Sequence, residues 1–178
     1  MCRKDLAGNT WLGKTKDAVT AFLTKMSAQA PITSMAGMTG GGYMGRDHVF
    51  TLLTKDLQEV SESVSGLGCL GKYERGLSIN TSLGLFDAST RPDSEPSTKA
   101  VILITDKNAR TYGKCKSDAF KDKGVTIYTV GYETDTEGGA TISAITNCGA
   151  NGGFFRRSDG TSFTTDRIFD EILQDIMN

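Results

Sequence analysis

The sequence predicts an α/β fold: a doubly wound, mostly parallel sheet with helices on both faces and one antiparallel edge strand. Residues 100–104 form an unbroken apolar run rich in β-branched residues, which is typical of a strand that helices cover on both faces. A second strand predicted to be buried, 125–132, has alternating β-branched residues and follows Gly124. Segments with helical spacing separate the strands along the chain, and this alternation indicates parallel pairing.

Length and composition predict one ordinary globular domain over residues 1–178. The chain has 178 residues, of which 38% are hydrophobic and 23% charged, enough to bury a sizeable core. A net charge of −1 gives no electrostatic footprint for nucleic-acid binding. Because no apolar run approaches the ~20 residues that cross a bilayer, we expect no membrane insertion of this chain.

The first half of the chain is predicted to contain two helices and a hairpin. Apolar residues from Trp11 to Met26 recur at helical spacing, and Pro31 follows where a helix stop is expected. Two weaker strand signals around a glycine turn indicate an antiparallel hairpin at one edge of the sheet. In order, the predicted elements are helix 11–26, strand 32–38, turn 40–42, strand 49–53 and helix 57–67.

The second half alternates strands and helices and ends in an amphipathic helix. That last helix is predicted with Thr164 or Thr165 as its N-cap and Asp166 in its first turn. Its predicted core face consists of Ile168, Phe169, Ile172, Leu173 and Ile176. In order, the predicted elements are helix 74–85, loop 90–97, strand 100–104, helices 117–123 and 137–147 on either side of strand 125–132, strand 153–156 and helix 164–178.

Asp106 is the first candidate functional residue, because the apolar strand ends in Thr105-Asp106. Ligands of open α/β sheets bind at the carboxyl ends of the strands. We therefore expect this strand to lie in the middle of the sheet, with its acidic end on a recognition surface.

Motifs for catalysis are not supported by their context. Gly66-x-Gly68-x-x-Gly71 matches a dinucleotide fingerprint but follows a predicted helix rather than a strand. Tyr73 stands where a phosphate-binding loop needs a serine or threonine hydroxyl to reach magnesium. His48 is the only histidine, and the sequence contains no GxSxG motif that would supply the serine of a Ser-His-Asp triad. We therefore expect that the chain is not an enzyme.

Three segments, in this order, resemble the von Willebrand factor A domain family, the fold of integrin inserted domains. Asp5-Leu6-Ala7-Gly8-Asn9 precedes the first helix, as the family's Asp-x-Ser-x-Ser motif does. Residues 101–106 resemble its central strand and residues 124–131 a later strand. The resemblance covers essentially the whole chain. It implies a site where oxygen ligands hold a divalent cation and an acidic side chain of a protein partner completes the shell.

The metal motif is degenerate in this chain. The ligand positions that the resemblance retains are Asp5, Asn9 and Asp106, the candidates for a divalent cation such as magnesium. Ala7 replaces a hydroxyl, and Lys107 follows Asp106 where glycine is usual. The family's motif also takes a threonine ligand from a second loop. The corresponding loop of this chain, 71–76, has no threonine at that position. Because of these departures, we expect that the chain has the fold of the family but binds no metal cofactor. Because four residues precede Asp5, we expect the first strand to be short or truncated.

Four cysteines permit two disulfides in an oxidising compartment, or none. Pairs of this kind occur in surface-exposed and pilus-associated members of the family. The resemblance therefore favours a bridge between Cys115 and Cys148, and Cys2 and Cys69 form the other predicted pair.

The leading functional hypothesis is a protein-binding or adhesion module of a surface or secreted protein. Its ligand-binding residues are predicted to be Asp5, Asn9, Tyr73 and Asp106, at the C-terminal end of the sheet. A second hypothesis is a self-associating structural subunit of a pilus or filament. A third is an intracellular scaffold domain.

Overall fold

A computed structural model describes eight segments of the chain, and every structural statement below concerns them. These segments are residues 10–29, 36–41, 47–68, 98–106, 119–132, 146–150, 155–158 and 162–178. Their elements are α1 (Trp11–Gln29), β1 (Ala36–Gly41), β2 (Asp47–Thr54), α2 (Leu57–Gly66), β3 (Lys99–Asp106), α3 (Ala119–Asp122), β4 (Val125–Tyr132), β5 (Phe155–Ser158) and α4 (Ser162–Met177).

The strands form a parallel sheet and an antiparallel hairpin. In the parallel sheet β4 lies between β3 and β5, and β3 matches β4 residue for residue from Lys99 opposite Val125. The hairpin pairs β1 with β2, with irregular register along its length. Every residue of β4 is buried, as predicted from its alternating β-branched residues.

Helices cover both faces of the sheet, which confirms the doubly wound fold. On one face Tyr128, Val130 and Tyr132 of β4 share a core with α1, α2 and α4. On the other face Val125 and Ile127 pack with Leu103 of β3 and Phe120 of α3. Side chains alternate between the faces of a strand, so β4 contributes to both cores.

The longer helices, α1 and α4, pack against each other over the first core. Phe22 meets Phe169 edge to face, with ring centroids 5.9 Å apart, a favoured aromatic geometry. At the exposed rim of this contact, Lys25 pairs with Asp170. The predicted core face of the last helix is confirmed, because Ile168, Phe169, Ile172 and Leu173 are buried and Ile176 packs against them.

Helix α2 is fixed at both ends by polar contacts. The Asp56 carboxylate accepts hydrogen bonds from the backbone N–H groups of Gln58 and Glu59, which makes it a good N-cap. At the other end, Lys16 of α1 donates to the Ser65 carbonyl at 2.7 Å. A cation is favourable there because the carbonyl end of a helix carries partial negative charge.

Some predicted boundaries are wrong. Helix α4 begins at Ser162, so Thr164 and Thr165 lie inside the helix and neither is its N-cap; Asp166 lies beyond the first turn. Thr165 is buried, and packing rather than capping therefore explains its position. The last strand continues to Ser158, two residues beyond its predicted end at residue 156. Strand β1 continues to Gly41, so the predicted turn starts too early.

Other predictions fall outside the described residues. These are helix 74–85, loop 90–97 and most of helix 137–147. In the described sheet β4 lies between two strands and β3 lies at one end. Any strand on the other side of β3 would come from elsewhere in the chain, so the mid-sheet position of β3 stays a prediction.

Within the segments that the structure describes, no helix combines the length and the apolar character that a bilayer crossing requires.

Gly149 sits against the start of β4. The next residue, Ala150, donates its backbone N–H to the Val125 carbonyl at 2.8 Å. A Cβ atom at Gly149 would lie 2.8 Å from the Ile127 backbone nitrogen, closer than van der Waals contact. Nearby, the hydroxyls of Thr129 and Thr146 are hydrogen-bonded at 2.8 Å in the interior. This segment therefore has little room to shift.

We predict that Gly149→Ala lowers the free energy of unfolding by about 1–3 kcal/mol, because overpacking forces the backbone apart. Chemical denaturation followed by circular dichroism measures this change. Gly66→Ala is the matched control, since nothing lies within 4 Å of its added Cβ, and alanine is the better helix former. Equal stability of the two variants would contradict the close approach.

Candidate functional site

The C-terminal ends of three strands meet in one row at the edge of the parallel sheet. Asp106 of β3 lies opposite Tyr132 of β4, and Tyr132 lies opposite Ser158 of β5. Neighbouring strands are about 4.8 Å apart, so these backbone positions span a compact edge. The predicted position of Asp106 at the carboxyl end of a strand is what the structure shows.

Helix α1 begins at this same edge. The Thr10 hydroxyl accepts a hydrogen bond from the Gly13 backbone N–H at 3.0 Å, so Thr10 is the N-cap. The Trp11 ring stacks on the Tyr132 ring, with centroids 5.7 Å apart and planes inclined by 28°. The first turn of α1 therefore lies over the end of β4.

Lys14 adds a positive charge to this stack. Its ammonium lies 5.1 Å from the centroid of the Trp11 ring, within the range of a cation–π interaction. Helix α1 has no acidic residue in its first turn, so the partial positive charge of its N-terminus has no carboxylate on that turn to offset it. We call Lys14, Trp11 and Tyr132 the Lys14 stack.

The hydroxyl of Tyr132 is buried and has no hydrogen-bond partner. The residue is 0% exposed, and desolvation raises its pKa. The nearby hydroxyls of Thr15 and Thr165 and the charge of Lys14 act in the opposite direction and lower the pKa. Neither threonine bonds to Tyr132 with good geometry: Thr15 donates instead to the Trp11 carbonyl at 2.8 Å.

Tyr128 makes the contact that Tyr132 lacks. It lies four residues earlier on the same face of β4, and its hydroxyl donates to Asp175 of α4 at 2.6 Å. Burial, this hydrogen bond and the charge of Asp175 raise the pKa of Tyr128. The two tyrosines therefore tie β4 to the helices differently, one by a polar bond and one by stacking alone.

The remaining predicted site residues are only partly placed. Asp5, Asn9 and Tyr73 lie outside the described residues, and Asp106 is placed by its backbone. Cys148 is disulfide-bonded and packs against the second core. The other cysteines, Cys2, Cys69 and Cys115, also lie outside, so the predicted pairing stays a prediction.

Sequence reasoning missed the roles of Thr10, Lys14 and Tyr132. The helical spacing of residues 11–26 indicates a buried Trp11 but does not indicate its contact with Lys14 or with Tyr132. The available signal was the position of Tyr132, which ends the second buried strand just as Asp106 ends the first. Two parallel strands place such residues at the same edge.

The described part of this edge does not by itself fit a divalent cation. No three His, Cys, Asp or Glu residues cluster anywhere in the described segments, whereas magnesium and calcium require several oxygen ligands. The Thr10 hydroxyl already caps α1, and Lys14 brings a competing positive charge.

Comparison with known families identifies the fold. A sequence model of the von Willebrand factor type A domain matches residues 6–171. The chain belongs to the von Willebrand factor type A (VWA) domain family. The resemblance seen in the sequence motifs is thus confirmed, although a degenerate metal site is not shown by this match.

Solved structures with the same fold come from distant proteins. BatB of Bacteroides thetaiotaomicron is 19% identical, with a TM-score of 0.65 over 94% of this chain and 89% of that chain. The vWF domain of the type V pili tip protein Mfa5 from Porphyromonas gingivalis is 13% identical, with a TM-score of 0.59 over 94% of this chain and 90% of that chain.

A third similar structure is proximal thread matrix protein 1 from the mussel byssus, which has a zinc-occupied MIDAS motif. It is 15% identical, with a TM-score of 0.60 over 92% of this chain and 42% of that chain. At these identities the likeness concerns the fold alone. The comparison with curated proteins finds no significant match.

Replacing each of the two tyrosines of β4 by phenylalanine is expected to change the stability of the domain in opposite directions. Tyr128→Phe removes a bonded hydroxyl and is expected to destabilise the VWA domain by about 1 kcal/mol. Tyr132→Phe removes a buried hydroxyl that has no partner and is expected to stabilise it by up to about 1 kcal/mol. Urea denaturation of the two variants beside the unmodified chain measures both changes, and a loss of stability in Tyr132→Phe would show that its hydroxyl is bonded after all.

Proposed function

We propose that this VWA domain is a protein-binding adhesion module of a surface or secreted protein. VWA domains commonly mediate protein–protein interactions and adhesion. The observation that carries the proposal is the edge at which β3, β4 and β5 end in register beneath the first turn of α1. Open α/β sheets bind ligands at such an edge.

The proposed ligand contacts are Asp5, Asn9, Tyr73 and Asp106. Asp106 is supported by its backbone position at the edge. The assignments of Asp5, Asn9 and Tyr73 come from the sequence. Since the first turn of α1 lies at the edge, and Asn9 directly precedes its N-cap in sequence, the proposal for Asn9 agrees with the fold.

An extracellular location is part of the proposal. The disulfide at Cys148 suits an oxidising compartment and counts against the alternative of an intracellular scaffold. One similar structure is from a pilus tip protein. That likeness also supports the second candidate, a structural subunit of a pilus or filament. Leu52 on β2 is 60% exposed, as a contact residue for self-association would be; a strictly monomeric chain in light scattering would count against this candidate.

We infer no resident cofactor, with a divalent cation such as magnesium as the alternative. Asp5, Asn9 and Asp106 would hold it, and its chemistry would be to attract an acidic side chain of the ligand. VWA domains are generally interaction modules rather than enzymes, and the proposal assigns no catalytic residue.

The adhesion proposal predicts that binding depends on Asp106. We expect the full chain to bind at least one protein in a panel of immobilised serum and extracellular-matrix proteins, measured by surface plasmon resonance. Asp106→Ala should weaken that binding by about tenfold, the effect of losing one charged contact. The measurement in EDTA separates the cofactor alternatives, because binding through a cation is lost there.

Asp122→Ala is the matched control, since Asp122 lies in α3, just before the other end of β4. Equal loss of binding in Asp122→Ala and Asp106→Ala would refute an edge-specific contact. Unchanged binding of the Asp106→Ala variant would show that the ligand contacts another surface of the domain.

For the cysteines we propose the bridge between Cys115 and Cys148. Peptide mapping of the unreduced, alkylated chain is expected to show a fragment that joins these two residues. Cys148 is bonded, and its predicted partner precedes a helix that packs on the same face of the sheet as Cys148. A fragment that joins Cys148 to Cys2 or Cys69 would contradict the pairing, and four alkylated thiols would exclude both bridges.

A further inference from the structure

Strand β2 presents a large apolar side chain to solvent on the outer side of the hairpin. Leu52 is 60% exposed, and Met177 at the end of α4 is the other large hydrophobic residue that is exposed in the described segments. Ala36 of β1 packs against the first core, which makes β1 the inner strand of the hairpin and β2 the outer one. Within the described segments β2 pairs with β1 alone.

A bulge in β2 coincides with this exposed residue. Between residues 51 and 54 β2 advances by three residues while its partner β1 advances by two, and a bulge of this kind changes the direction of the side chains in it. Thr51 is buried, and its hydroxyl is hydrogen-bonded to that of Ser63 in α2 at 2.6 Å. The next residue, Leu52, is exposed. The strand therefore changes at this point from a residue that contacts α2 to a residue that is available to another molecule.

Gly37 of β1 accommodates the bulge. A Cβ atom at Gly37 would lie 3.0 Å from the Thr51 carbonyl oxygen and 3.1 Å from the Leu53 backbone nitrogen, closer than ordinary van der Waals contact. Because glycine has no side chain, the bulged backbone of β2 can lie against β1 here. The exposed position of Leu52 is therefore fixed by close backbone packing within the hairpin.

Opposite charges flank β2 at equal distances from Thr51. Asp47 lies four residues before Thr51, and the exposed Lys55 lies four residues after it, about 13 Å away on either side in an extended strand. No other aspartate, glutamate, lysine or arginine lies between them. If a second copy of the chain runs antiparallel about a two-fold axis near Thr51, Asp47 of each copy meets Lys55 of the other. The charge pattern of this strand is therefore complementary to itself.

The bulge also determines the kind of contact that β2 can make. A continuous backbone ladder with another strand needs regularly spaced N–H and C=O groups, and a bulge disrupts that spacing. We therefore expect side-chain packing near the axis and not the addition of a strand to the hairpin. A two-fold contact uses the same surface of both copies, so it closes on itself and gives a dimer.

We propose that the face of β2 that carries Leu52 is the interface of a dimer of this chain, in which the two β2 strands pack antiparallel about a two-fold axis near Thr51. Asp47 of each copy pairs with Lys55 of the other, and the two Leu52 side chains meet between these pairs. The inference rests on the self-association candidate of the proposed function and specifies its partner, a second copy, and its symmetry. Such a dimer presents the proposed ligand-binding edge twice and does not extend into a filament through this surface.

Sedimentation velocity of the full chain over a wide range of concentration measures the dimer. We expect reversible dimerisation, and Leu52→Ser should weaken the dimer by about tenfold or more, because each dimer then loses two buried leucine side chains. Met177→Ser is the matched control, since it removes the other exposed apolar side chain on a different element, α4. This control is expected to dimerise as the unmodified chain does.

Charge reversal tests the two-fold geometry. Asp47→Lys and Lys55→Asp should each weaken the dimer by about tenfold, because each places two pairs of like charges in the interface. The two substitutions combined in one chain should restore the dimer. A mixture of the two single variants should form a heterodimer, since opposite charges then meet at both ends of the paired strands.

The inference is overturned if the full chain stays monomeric, if Leu52→Ser and Met177→Ser dimerise alike, or if neither the combined variant nor the mixture restores the dimer. A monomeric chain would also count against the self-association candidate and would leave the adhesion proposal standing. Self-association that is indifferent to Leu52→Ser would keep that candidate and overturn this interface alone. A dimer that behaves as expected but binds no protein in the panel would contradict the adhesion proposal alone.

Discussion

The structure depends on the complete burial of β4. Each residue of this strand is buried, and alternate side chains enter cores on opposite faces of the sheet. A strand in this position cannot satisfy its backbone groups with water, so it needs neighbours on both sides; β3 and β5 supply them in parallel register. Parallel pairing in turn brings the ends of all three strands to one edge. The proposed contact surface is therefore a consequence of how the core is built.

Much of this fold was predictable from the sequence because its signals are local. An unbroken apolar run identifies a strand covered on both faces, and helical periodicity identifies the buried face of α4. The N-cap of α4 was not predictable in the same way. Thr165 has the chemistry of a cap, yet it is buried beside Tyr132 inside the helix. Only the packing of α4 on the sheet decides between these roles.

The candidate site was predictable only in outline. Asp106 could be assigned to the sheet edge because a strand boundary is visible in the sequence. The Lys14 stack could not, because Tyr132 lies more than 100 residues from Trp11 and Lys14 along the chain, and nothing local indicates that Trp11 meets Tyr132. The helical pattern indicates that Trp11 is buried, and burial alone does not specify its contacts with Tyr132 and Lys14. Long-range contacts of this kind arise from topology, not from spacing.

The two tyrosines of β4 show how differently one strand is tied to the helices that cover it. Tyr128 lies in the body of the sheet and its hydroxyl is bonded to Asp175, so the contact secures α4. Tyr132 ends the strand at the edge, stacks on Trp11 and leaves its hydroxyl unpaired. An unpaired buried donor costs about 1–3 kcal/mol, a cost that packing alone does not require, since phenylalanine would stack as well. This cost falls at the end of the strand, where the first turn of α1 covers Tyr132. The edge is therefore held by stacking and burial, whereas a polar bond holds α4 to the body of the sheet.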